Sequence, residues 1–122
     1  MSARTVWIGR VISFLPMPLF LFSAAMKFLG GEAVEQGFDH LGLPRSMRIP
    51  LGILELTCSV VYLVPRTAVL GAILMTGYLG GAICTHWRVG ENVALHIVIG
   101  VMLWLGLWLR DPRLREVLPL WK

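Results

Sequence analysis

Glu55 is the only charged residue in the apolar run from Ile49 to Val64. A carboxylate there costs several kcal/mol unless it is paired or hydrated, so it requires a partner. Arg48, Gly52, Glu55, Ser59 and Tyr62 follow one another at i+3 or i+4, which puts a polar and small stripe on one helical face with Cys58 beside it. Ser23 and Lys27 stand four residues apart at the end of the first apolar run. Tyr78, Ala82 and His86 make a similar line on the third run, and Asn92, His96, Gly100 and Trp104 make one on the fourth. At about 1.5 Å per residue, all four lines carry their polar ends into the half of the layer away from the termini. Lys27 reads either as a side chain snorkelling to the interface or as the partner of Glu55. Glu55 itself suits proton transfer or ligand contact, with helix–helix hydrogen bonding as the plain structural alternative. For His86 the plain alternative is an interfacial side chain beside Trp87, and for His96, one turn inside the fourth helix, it is again helix bonding. A protonated Lys or His, a Tyr hydroxyl and an acid able to pass a proton are the groups that a quinone carbonyl requires.

Two histidines and a glutamate on three helices invite a metal or haem reading. No H-x-x-x-H, E-x-x-H or C-x-x-C-H occurs, so no metal is assigned. Cys58 and Cys84 lie in different apolar runs without a C-x-x-C and read as two small buried hydrophobes. Met17, Met26, Met75 and Met102 read as filler between helices. Gly77-x-x-x-Gly81, with Gly80 and Ala82, leaves one flank of the third run nearly bare and predicts a close helix crossing. Phosphate loops, a nucleophile elbow and paired acids are all missing, which argues against hydrolysis of soluble substrates.

Of the 122 residues, 57% are apolar and 15% charged. With a mean hydropathy of +0.74, this is more apolar surface than a soluble domain of that size can bury, which argues against a soluble globular enzyme. Val11 to Met26, Ile49 to Val64, Thr67 to Trp87 and Asn92 to Leu109 hold at most one charge each. Counted with their flanks, each can cross a hydrocarbon layer of about 30 Å. The expected fold is all-α: an integral membrane four-helix bundle in a single domain, 1–122, with antiparallel spans at about 5–28, 45–64, 67–87 and 91–110. Pro16 and Pro18 kink the first helix and Gly30-Gly31 ends it. Val34, Phe38 and Leu41, opposed by Glu32, Glu35 and Asp39, predict a short interfacial helix between the first two spans. Pro44 opens the second helix and Pro50 bends it. Pro65-Arg66 is a turn short enough to make the second and third spans antiparallel neighbours. Arg88 to Glu91 makes the next turn, and Asp111-Pro112 ends the fourth helix before a tail of Leu118, Pro119, Leu120 and Trp121.

The net charge of +4 does not mark a nucleic-acid surface, because the basic residues sit at the ends of apolar runs. The side with the termini holds Arg4, Arg66, Arg110, Arg113, Arg115 and Lys122, with Arg10 just inside. The other side holds Lys27, Arg45, Arg48 and Arg88, diluted by Glu32, Glu35, Asp39 and Glu91. Lys/Arg bias therefore predicts cytoplasmic termini and a bacterial inner-membrane location. Trp7, Trp108 and Trp121 fall near the cytoplasmic interface and Trp87 near the outer one. A signal-peptide reading, with Arg4 before Ser23-Ala24-Ala25, is disfavoured because cleavage would discard a span.

Phe22-Ser-Ala-Ala-Met-Lys-Phe28, Leu41-Gly-Leu-Pro44, Gly52-Ile-Leu-Glu-Leu56, Thr76-Gly-Tyr-Leu-Gly-Gly-Ala82 and Thr85-His-Trp-Arg88, taken in this order, resemble the DoxX-like family of small four-span membrane proteins. The resemblance covers nearly the whole chain and implies Lys27, Glu55, His86 and Arg88 as family-type polar positions. His96 rests on the residue argument alone. The family takes its name from a subunit associated with thiosulfate:quinone oxidoreduction, and relatives are linked to redox complexes and membrane-protein assembly. The favoured expectation is a redox-associated subunit in the lipid bilayer whose outer-half pocket of Lys27, Glu55, Tyr78, His86, His96 and Arg88 binds a quinone-like small molecule. A non-catalytic scaffold, docking a membrane-protein partner or a second copy, is the alternative. A small-molecule transporter comes third, because the membrane Glu expected of a small multidrug transporter belongs in the first helix, where this chain has none.

Overall fold

The computed structural model describes residues 2–119, so the expectations placed on Leu120, Trp121 and Lys122 lie outside the described residues. All the regular structure among the described residues is helical, with no strand. They form α1 (Ala3–Phe14), α2 (Met17–Leu29), α3 (Glu32–Leu41), α4 (Arg48–Leu63), α5 (Ala68–Arg88), α6 (Ala94–Arg110) and α7 (Pro112–Val117). Ser2 caps α1 by accepting from the Thr5 amide at 3.1 Å. The first apolar segment is two helices instead of one kinked helix. Leu15 and Pro16 separate them, since Pro16 and Pro18 cannot donate to the turn before. Pro50 falls in the first turn of α4, where a missing N–H costs no intrahelical bond.

Among the described residues, three segments are long and apolar enough to cross a membrane: Ala3–Leu29 taken through its break, Arg45–Leu63 and Pro65–Arg88. The fourth apolar helix, α6, is shorter, at 17 residues. The break in the first segment changes its packing partner: α1 lies on α6, while α2 lies on α4. α4 also packs on α5, and α5 on α6. The core gathers Met17 and Phe20, Cys58 and Tyr62, Ala72 and Met75, and Leu103 and Leu107. Crossings are close where a glycine removes the side chain between backbones. A Cβ on Gly9 would sit 2.7 Å from the Gly106 carbonyl oxygen, and one on Gly71 would strike the Tyr62 backbone.

The expected flank of Gly77, Gly80 and Gly81 is not such a crossing: a Cβ on any of the three would meet nothing within 4 Å. Cys84 is likewise exposed, where a buried hydrophobe was expected.

α3 follows the expected amphipathic pattern, with Phe38 7% exposed beneath it. Gly42, at φ 72°, closes its end in the left-handed region. Arg45 holds Asp39 at 2.8 Å, and its hydrogen bond keeps the Asp39 carboxyl below the ordinary carboxylate range.

Candidate functional site

The stripe on α4 is buried at Gly52, Glu55, Ser59 and Tyr62, with Cys58 beside it. Gly52 lets α2 approach closely, since its missing side chain would lie 3.1 Å from the Lys27 Cβ. That approach brings the Lys27 Nζ to 2.9 Å from the Glu55 Oε1. Lys27 also donates to the Ser23 Oγ at 2.8 Å. With Glu55 only 3% exposed, the two charges form a nearly dry ion pair anchored by a hydroxyl. Lys27 is thus a partner of Glu55, the second of its two expected readings. Arg48, one turn before Gly52, donates to the Lys27 and Phe28 carbonyl oxygens and caps the end of α2.

Beyond this pair, α5 and α6 bring two imidazoles together. The His86 and His96 ring centroids are 4.7 Å apart, with 43° between planes. The His86 Nδ1–H donates to the Ala82 carbonyl oxygen at 2.7 Å, which leaves Nε2 directed at Glu91, 3.8 Å away. Glu91 also holds the His40 Nε2 at 2.9 Å, so one carboxylate in the α5–α6 turn links a histidine of α3 to one of α5. The His96 Nδ1 is buried and has no hydrogen-bond partner among the described residues.

A cavity of about 740 Å³ lies among α2, α3, α4, α5 and α6. Lys27, Glu55, Tyr78, His86 and His96 line it, along with Ser23. Its remaining walls are largely apolar, including Phe20, Leu51 and Ile99. Tyr78 of α5 and Glu55 of α4 share this cavity. Gly77 and Gly81 also line the cavity, so the bare flank of α5 makes space there instead of a crossing. Arg88 is not one of the lining residues. Its guanidinium donates to the Leu41 carbonyl oxygen and ties α5 to the end of α3. The sequence expectation that grouped Arg88 with the pocket missed this, because a side chain at the end of a helix can reach sideways to a neighbouring element.

A model of the DoxX-like family matches residues 11–109. The chain belongs to the DoxX-like family. No curated protein and no solved structure matches it. Together with the apolar helices, the family makes this a membrane protein. The matched stretch contains every residue that lines this cavity of the DoxX-like chain and stops short of Arg110 and α7.

Two parts of the polar network had little sequence signal. His40 and Glu91 are 51 positions apart, and neither sits on an apolar stripe. At the opposite end, the Arg110 Nε donates to the Ser13 Oγ at 3.1 Å. The Arg110 guanidinium lies over the Phe14 ring, 4.8 Å from its centroid. Ser13 is fully buried, at the place where Gly106 lets α1 and α6 meet. Its sequence signal is one hydroxyl in the apolar run that starts at Val11.

Proposed function

We propose that this DoxX-like protein is a four-span antiparallel bundle of the bacterial inner membrane, with cytoplasmic termini and α6 as its fourth span. Its cavity would hold the polar head of a quinone-like molecule, as the ligand-binding subunit of a redox assembly. The short turn at Pro65–Thr67 supports antiparallel α4 and α5, and α6, at about 1.5 Å per residue, is long enough to cross most of the hydrocarbon. The observation that carries the ligand reading is the convergence of Tyr78, His86, His96 and the Lys27–Glu55 pair on one largely apolar cavity. A quinone carbonyl accepts from such donors, and the apolar walls suit its ring. In this role, Tyr78 and His96 orient the head, and Glu55, held by Lys27, is the group able to exchange a proton.

The test is binding of decyl-benzoquinone to the full chain in lipid nanodiscs. Glu55→Gln preserves shape and hydrogen-bonding capacity while removing the charge. Well-folded Glu55→Gln, Tyr78→Phe and His96→Gln proteins should each lose about tenfold in affinity, on the order of 1.4 kcal/mol. Wild-type affinity in all three would end the ligand reading. A scaffold reading has one observation of its own: the Lys27–Glu55–Ser23 contacts are satisfied within the chain, as a helix lock requires. It expects Glu55→Gln either to behave as wild type in every binding assay or to unfold.

A further inference from the structure

We infer that the cavity is filled sideways, from the hydrocarbon layer, and that its ligand is a neutral amphiphile whose apolar chain leaves between α2 and α6. This rests on the ligand reading above and adds the route and the ligand class. The route follows from the partner change at Pro16. Below the break, α1 and α6 are held together by Gly9, Ser13, Gly106 and Arg110. Above it, α2 turns to α4, with Gly52 against Lys27 and Ala24. A wedge therefore opens between α2 and α6 on the side that holds the cavity.

Its rim consists of side chains that line the cavity yet also face the surroundings: Leu19 is 49% exposed, Phe22 65% and Leu95 62%. In a membrane-spanning helix such faces meet lipid chains, so the opening leads into oil. The loop end is covered instead. α3 lies over it with Phe38 buried, pinned by Arg88 at the Leu41 carbonyl and by His40 at Glu91.

The ligand class follows from the charges. Lys27 and Glu55 cancel each other, so the interior offers hydrogen bonds without a net charge. The His96 Nδ1 is buried and unpartnered among the described residues, and an uncharged carbonyl or hydroxyl head would satisfy it. An ionic head would have to give up its hydration with no free counter-charge to receive it. A flexible chain lets such a head stay in the cavity while the rest remains in the bilayer.

The experiment uses the full chain in nanodiscs and a neutral 1,4-benzoquinone with a ten-carbon chain ending in a diazirine. After photolysis, labelled positions are mapped by peptide mass spectrometry, with and without excess decyl-benzoquinone. Competed labelling should concentrate on Leu19, Phe22 and Leu95, at least fivefold above Ile73 and Val101, which are comparably exposed but lie away from the wedge. Competed labelling centred on Val34 and Gly37 of α3 would overturn the sideways route while leaving the head site intact. A lack of competed labelling at any position would overturn both the route and the ligand reading. A fatty acid of the same chain length that competes as well as the quinone would overturn the neutral class.

Discussion

Lys27 and Glu55 show how a charge can be kept in oil. Neither residue would be stable alone at this depth, and each lowers the cost of the other. Changing Lys27 to Met or Glu55 to Leu should each cost about 3 kcal/mol, because the remaining charge is left without a partner. The double variant should cost less than the sum by at least about 1 kcal/mol, measured by thermal or denaturant unfolding in detergent. Additive losses would show that the 2.9 Å contact carries no coupling. This pair could be read from the sequence because a lone acid in an apolar run demands a partner, and helical spacing put Lys27 at the same depth. The links from His40 to Glu91 and from Ser13 to Arg110 could not be read that way. They join residues 51 and 97 positions apart, and nothing local marks either partner.

At the scale of elements, the glycines divide into two groups that composition cannot tell apart. Gly9, Gly71 and Gly106 face backbone or a buried side chain, whereas Gly77 and Gly81 face the cavity. Ala at Gly71 or Gly106 forces a methyl group into a packed crossing and should destabilise by about 1–3 kcal/mol. Ala at Gly77 or Gly81 meets nothing and removes backbone freedom from the unfolded chain. It should be neutral or stabilise by up to about 1 kcal/mol, measured by the same unfolding assay. Equal losses at all four would mean that the α5 flank is packed after all. The sequence marked the small residues but not their neighbours, because a G-x-x-x-G spacing gives a bare strip without saying whether a helix or an empty space lies against it. The prolines were more legible. Pro16 and Pro18 marked the position, although as a kink and not as the break between two helices, and the change of partner that the break permits depends on where α4 and α6 lie.

Across the whole molecule, Lys27, Arg45, Arg48 and Arg88 are matched by Glu32, Glu35, Asp39 and Glu91, whereas Arg4, Arg10, Arg66, Arg110, Arg113 and Arg115 outnumber Asp111 and Glu116. Reporter fusions should place the α7 end in the cytoplasm and the loop at Gly30–Gly42 outside. A periplasmic signal from a fusion after Pro119 would reverse the orientation and turn the cavity towards the inner leaflet. The all-helical character was legible because apolar runs bounded by Pro, Gly and charge leave few other solutions. The contact between α1 and α6 has a consequence for how the chain is made. α1 is translated ahead of α2–α5 and its partner α6 only after them, so Gly9 and the Ser13 hydroxyl wait until Arg110 emerges. The pairing of α2 with α4 and the α4–α5 hairpin can form in the meantime. The joint at Pro16 allows the second half of the first segment to be in place while the first half is still searching, and docking of α6 then closes the contact with α1.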